Sequence, residues 1–476
     1  MKICMFVKNS FEYDARVTKE AKTLIDSGHH VTVIAYLVPG VTPEHEVRPD
    51  GIEVRRISRV NFGVDALNRI AARYVGAVEA RHSRLTGEPV DIERARARYR
   101  ITPASTVAPG TEEQIDLERP AHSSQPATTS PWRRLWGRVS TPILYSVTPV
   151  ARFGFRVVKA LMGRQGRALK TWAINRRMIE AGLAEKADVY HSHDLNTLYV
   201  GHVCKKRTGA KLVYDSHELQ TERSRMGFWW KQWALWNERR WLPSADALIV
   251  ASPPWIDHIR GLYGSIPDPS VAVINVPEPT EVRRRDLREP LGLSPGTPIV
   301  LYQGSIQENR GIEPAIDAVE LLDDVVLVIV GYGYYRDALE ELVRRRNLGD
   351  RVRFFGPIPN HELLHWTASA DVGLCNIVNA SLSYYTTLPN KLFEYMMAEV
   401  PVLGSDSPGI GKVVRETGVG EVVDPVDPAD LAAATMKILS DPEPYRSACR
   451  KARQRYNWRV ESQKLLEVYA RLGVSR

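Results

Sequence analysis

Four short stretches of this 476-residue chain combine residue types that could do chemistry. In Thr386-Thr387-Leu388-Pro389-Asn390-Lys391-Leu392-Phe393-Glu394 a loop enters a helix whose first-turn amides have no partner within the helix. Glu394 follows one turn later, where a carboxylate can accept two hydroxyls of a sugar. In Gly304-Ser305, followed by Arg310-Gly311, a glycine lets an anion approach the backbone while a helix N-terminus and an arginine supply positive charge. Gly331-Tyr332-Gly333 is a second glycine turn at a strand end, weak on its own. In Asp188-Val189-Tyr190-His191-Ser192-His193-Asp194 a continuing strand sets His191 and His193 on one face. That pair could serve a metal with His217 or Asp194, but the spacing matches no common zinc signature. Backbone-satisfied histidines are the plainer structural reading.

The elements that must carry these residues alternate. Lys2 to Val7 suits a buried strand, Asp14 can cap a helix closed by Gly28, and Val31 to Tyr36 is the next strand. The rhythm resumes at Val189 to His191, a helix over Leu195 to Arg207, Lys211 to Asp215, a helix through Trp241, and Ala247 to Val250. After a polar, Pro-rich stretch over 276–297 it begins again, with strands at Ile299 to Gln303, Val325 to Val330, Val352 to Phe355, Val372 to Ile377 and Val402 to Ser405. Two doubly wound α/β domains are expected, 1–275 and 298–457, with 458–476 a terminal helix crossing back to the first. A ligand would bind at the carboxyl ends of the strands, in the cleft between them. Within the first domain, about 82–131 has the Pro, Ser, Thr and Ala composition of a flexible insertion.

Composition narrows the classes further. With 43% hydrophobic and 25% charged residues the chain has the average of a soluble globular protein, which excludes a mostly disordered or multi-spanning one. The net charge of +8 is uneven: 132–179 holds eleven basic residues and no acidic one, which leaves the remainder at −3. Cys4, Cys204, Cys375 and Cys449 are too scattered for a zinc site or redox pair, and a reducing cytosol fits. No stretch reaches the roughly 20 apolar residues of a membrane-spanning helix.

Taken together, Gly304 to Gly311, Gly331-Tyr332-Gly333, Val352 to Gly356, Ala370 to Leu374 and Asn390 to Pro401 resemble the retaining glycosyltransferases of family four. The resemblance implies the GT-B architecture: two facing Rossmann-like doubly wound domains with an interdomain cleft. It implies that Glu394 holds the ribose of a nucleotide-diphosphate sugar and that Arg310 neutralises the diphosphate. Gly356, Pro357 and Ile358 would lie beside the base, and Gly331 and Gly333 near the nucleotide. Gly304, Ser305, Thr386, Thr387, Leu388, Asn390 and Lys391 would line the donor site. His193 would stand in the cleft near the transferred sugar, and no metal or other cofactor is implied. The chain departs from the family at Thr386, where a first glutamate is usual, at Ser305, where an arginine is, at Pro389, which removes one amide from the loop, and at the turn Lys8-Asn9-Ser10, which lacks the usual glycine pair.

The basic stretch includes Trp132, Arg133, Arg134, Trp136 and Arg138, and a later helical segment crowds Trp229, Trp230, Trp233, Trp236 and Trp241 among Lys231, Arg239 and Arg240. Indoles suit the headgroup boundary and basic residues an anionic leaflet, so a membrane-docking surface is expected, against core tryptophans and a solvated basic face. Nucleic acid is not expected, since no recognised module accompanies the charge. The reading is a glycosyltransferase at the cytoplasmic membrane face acting on a lipid-linked or glycan acceptor. The alternatives are a nucleotide-sugar epimerase of the same architecture and a non-catalytic sugar-binding partner.

Overall fold

The structure, a computed structural model, describes residues 1–12, 14–58, 169–224 and 226–473. The expected insertion over 82–131 and the candidate membrane residues Trp132, Arg133, Arg134, Trp136 and Arg138 lie outside the described residues. By contact density the chain divides into two compact units: Met1–Ala35 with Glu44–Arg56 and Ile179–Arg476, and Tyr36–Pro43 with Ile57–Met178. The first unit carries two sheets.

Its first sheet is built from β1 (Lys2–Phe6), β2 (His30–Leu37), β3 (His45–Val47), β4 (Glu53–Ser58), β5 (Val189–His193), β6 (Lys211–Ser216), β7 (Ala247–Val250) and β8 (Ser270–Ala272). The order across the sheet is β3-β4-β2-β1-β5-β6-β7-β8. β3 and β4 pair antiparallel, while β2, β1 and β5 to β8 pair in parallel. The second sheet comprises β9 (Ile299–Gln303), β10 (Val326–Val330), β11 (Val352–Phe355), β12 (Val372–Cys375), β13 (Val402–Ser405) and β14 (Gly420–Val423), parallel in the order β11-β10-β9-β12-β13-β14. Central strands such as β5, β9 and β10 are buried at every residue, as a sheet covered on both faces requires.

The parallel strands of each sheet reverse their order once, between β1 and β5 and between β9 and β12, and such switch points open a crevice at the carboxyl ends. β12 stops at Cys375, short of the expected Ile377, because Asn376 turns its side-chain amide onto the carbonyls of Gly311 and Pro425.

The two sheets fall in one compact unit because several contacts bind them. The C-terminal helix Trp458–Arg471 starts at an Asn457 cap that accepts from the Val460 amide. Trp458 donates its indole N–H to Thr23 Oγ1 at 2.9 Å, and Glu461 accepts from the Ile274 amide at 2.9 Å. At the same boundary Ser252 Oγ donates to the Thr386 carbonyl at 2.7 Å.

Candidate active site

At the carboxyl end of β9 the chain makes the tight turn that its glycines permit. Gly304 sits at φ +125° and Gly331, at the end of β10, at φ +140°. A Cβ on Gly331 would stand 2.0 Å from the Gly304 carbonyl oxygen, so the two turns can lie this close only without that carbon. A Cβ on Gly333 would likewise stand 1.9 Å from the Ile306 carbonyl oxygen. Gly304 and Ser305 are exposed, and the Tyr302 hydroxyl donates to the Ser305 carbonyl at 2.6 Å.

Over this turn stands the helix Asn390–Met397, entered through Pro389. Asn390 is exposed at its start, Leu388 is buried beneath it, and Thr387 is half-buried. Lys391 is buried and its Nζ lies 3.6 Å over the Tyr302 ring with no hydrogen-bond partner. Burial lowers its pKa to about 7. Arg310 stacks its guanidinium 4.7 Å over the Tyr384 ring, and its buried Nε has no partner. Glu394, half-buried one turn into the helix, accepts from Gln303 Nε2 at 2.5 Å, and burial holds its carboxyl above the usual range. Gly356 and Pro357 are exposed past the end of β11, whereas Ile358 packs against the core.

Thr386 stands apart from this group. It is buried, its hydroxyl donates to the Leu382 carbonyl at 2.7 Å and accepts from the Trp255 indole N–H at 2.9 Å. Its side chain is therefore turned to the helix Pro254–Tyr263 of the first-sheet region.

The first sheet's carboxyl edge is organised differently. The helix Ala15–Asp26, capped by Asp14 Oδ1 on the Val17 amide, buries Val17, Ala21 and Leu24 and, on the same side, Arg16 and Glu20. Arg16 forks onto both oxygens of Asp215 at the end of β6, at 2.9 and 3.1 Å through Nη2, and lies 3.0 Å from Glu20. His191 and His193 do share a face, with ring centroids 4.2 Å apart. His191 Nδ1 meets the Tyr469 hydroxyl at 2.9 Å, and His193 Nδ1 meets His217 Nε2 at 3.1 Å. His217 in turn lies 3.2 Å from Asp215.

The electrostatics follow from that packing. Burial resists ionisation of Asp215, but Arg16 and His217 hold its carboxyl well below the usual range. Burial would depress His217, yet Asp215 and Asp194 raise it to about 10. Glu20 is pushed up to about 8 by burial and by neighbouring Asp215. Burial holds His193 below its ordinary value, which leaves a neutral imidazole with Nε2 free of any partner.

Glu20, His191, His193 and Asp215 offer ligand atoms within 4.8 Å of one another. The donor set would suit zinc, but the Arg16 guanidinium already stands against both carboxylates, where it supplies the positive charge and would repel a cation. The group fits a metal poorly.

Sequence reasoning missed Arg16, Glu20, Asp215, Gln303, Tyr469 and Trp255. A charged i, i+4 pair on the apolar side of the Val17, Ala21, Leu24 stripe was the one local signal; the rest meet only through long-range folding.

The helix Phe228–Trp241 completes the features singled out. Its inward residues are Ala234 and Glu238, and Glu238 accepts from the Tyr214 and Tyr263 hydroxyls at 2.8 Å each. Phe228, Trp229, Trp230, Trp233 and Trp236 point outward, with Trp229 78% exposed. These tryptophans are not core residues.

Known proteins resemble the chain in agreement with this geometry. Residues 134–277 match the family described as "Glycosyl transferase 4-like domain" and residues 283–455 that described as "Glycosyl transferases group 1". The chain belongs to the family-four-type glycosyltransferases of GT-B architecture. It is 35% identical over 168 residues to the alpha-D-kanosaminyltransferase of Streptomyces kanamyceticus, a match spanning 34% of this chain and 42% of that enzyme. Over 304 residues it is 25% identical to the D-inositol 3-phosphate glycosyltransferase of Xylanimonas cellulosilytica, covering 60% of this chain and 72% of that one. Among solved structures, sucrose-phosphate synthase from Thermosynechococcus elongatus superposes with a TM-score of 0.65 at 19% identity over the whole of both chains, which shows the shared fold.

Proposed function

We propose that the protein transfers a sugar from a nucleotide-diphosphate sugar, with retention at the anomeric carbon, to a lipid-linked or glycan acceptor presented at an anionic membrane surface. The observation that carries the donor half is Arg310, a guanidinium resting on the Tyr384 ring with no carboxylate within ion-pair distance among the described residues, beside glycine turns at a sheet switch point. A diphosphate would supply the missing countercharge.

In this reading the bond from the anomeric carbon to the diphosphate oxygen breaks, the acceptor oxygen bonds to that carbon, and the acceptor's proton passes to the leaving phosphate. Charge grows on the diphosphate as the bond stretches, and Arg310 with the helix amides meets it without a metal. Glu394 is the acceptor for the ribose hydroxyls. His193, neutral and with a free Nε2, is suited to hydrogen-bond the sugar or acceptor at the opposing edge.

The outward aromatic face of Phe228–Trp241 supports the membrane half, since it stays exposed among the described residues while a carboxylate anchors the helix from behind. Among the described residues no helix is long and apolar enough to cross a membrane, so docking would be peripheral. A donor-hydrolysis assay with and without membrane lipid tests the whole. Release of nucleoside diphosphate that rises with anionic lipid is expected. Epimerisation without acceptor, or no turnover of any nucleotide sugar, would contradict it.

A further inference from the structure

A buried lysine without a partner is costly, because the charged form has lost water and gained nothing in exchange. Lys391 is in that position. Its Nζ has no hydrogen bond and no carboxylate within ion-pair distance among the described residues, only the face of Tyr302 beneath it. Its Cε lies 3.9 Å from where a Cβ would stand on Gly304, so the side chain reaches across the Gly304-Ser305 turn. The groups acting on it are Tyr302 from β9, Arg310 from the turn beyond, Cys375 from the end of β12 and Glu394 from its own helix. Glu394 is the single carboxylate among them and is itself engaged by Gln303.

We propose that Lys391 is the second cation of the diphosphate site, filling across the glycine turn the place that Ser305 leaves without charge, and that it gains a proton from solvent as the diphosphate seats. This rests on the donor reading above and adds the group contacted and the proton taken up. The cause is local. With the ammonium buried and Arg310 nearby, the site favours neutral amine when empty, and a diphosphate replaces both the lost solvation and the missing countercharge. Burial lowers the Lys391 pKa to about 7 in the empty protein, and the seated diphosphate would raise it. Binding above pH 7 therefore takes up a proton, and affinity falls as pH rises, by up to about tenfold per pH unit. A terminal phosphate itself ionises near about pH 6, below that window.

Titration calorimetry with uridine, guanosine and adenosine diphosphates, from pH 7 to 9 in two buffers of different ionisation enthalpy, tests this on the full chain. Wild type should take up close to one proton at pH 8 with the nucleotide that binds. Lys391→Met should bind about ten- to a hundredfold more weakly at pH 7. Lys391→Arg, which keeps its charge at every pH tested, should bind within a few fold of wild type and take up no proton. Wild-type affinity in Lys391→Met, no uptake by wild type, or uptake undiminished in Lys391→Arg would each overturn the inference while leaving the donor reading intact. Failure of all three nucleotides to bind wild type would overturn both.

Discussion

The carboxyl edges of the two sheets handle charge in opposite ways. At the first, Arg16, Glu20, Asp215 and His217 pair their charges in a network closed on itself, joined by His193, His191 and Tyr469, with the Nε2 atoms of the two neutral histidines left without a hydrogen-bond partner among the described residues. At the second, Arg310 and Lys391 lie on Tyr384 and Tyr302, and among the described residues neither has a carboxylate within ion-pair distance. A closed network fixes side chains in place, here the His193 imidazole, and its loss is felt first as stability. An open pair of cations contributes little until a ligand arrives, and its loss is felt first as binding and turnover. The same fold thus carries one edge whose charges are paired and one whose basic groups are not.

That contrast can be broken at either edge. The largest effect is expected from Arg16→Met, which strands the buried Asp215 carboxylate. Denaturant unfolding should lose about 3–5 kcal/mol, and a loss under 1 kcal/mol would mean the network is not closed. At the other edge Arg310→Ala should leave folding stability nearly unchanged and lower kcat by about 10²–10³, more than it weakens donor affinity, because the charge it meets develops in the transition state. Equal losses in both would make it a ground-state binding residue. Glu394→Ala should weaken nucleotide binding by about 1.5–3 kcal/mol in calorimetry, and unchanged affinity would remove it from the ribose.

Two smaller effects sharpen the picture. His217 is held near 10 chiefly by Asp215 against the cost of burial, so it stays protonated through neutral pH; in Asp215→Asn its imidazole resonances should titrate at distinctly lower pH. A His217 that titrates alike in both proteins would place its charge partner elsewhere. Replacing exposed Trp229 and Trp230 by serine should shift stability by less than about 0.5 kcal/mol yet abolish cosedimentation with anionic vesicles. Retained vesicle binding would remove this helix from the membrane surface.

Much of this was legible beforehand. The apolar strand runs, the Asp14 cap and the glycine turns are local signals, and the elements they mark stand within a residue or two of expectation. β12 is shorter for a reason that no local pattern carries, namely the reach of Asn376 to Gly311 and Pro425. The alternation that puts His191 and His193 on one face is local, whereas the Asp215, Arg16 and Tyr469 groups around them come from elements 199 and 278 residues apart in pairs. Thr386 shows the same limit. Its hydrogen bonds to Trp255 and Ser252 join segments 131 and 134 residues apart, which no local pattern carries.

The central claim is that the nucleotide diphosphate seats on the open edge and leaves the closed one unchanged. Hydrogen–deuterium exchange of the full chain with and without a saturating nucleoside diphosphate tests it most directly. Protection should appear in 303–312, 331–336 and 388–395, with 189–194 and 213–217 exchanging as before. Protection confined to the first-sheet segments, or none in the three second-sheet segments under saturation, would contradict it.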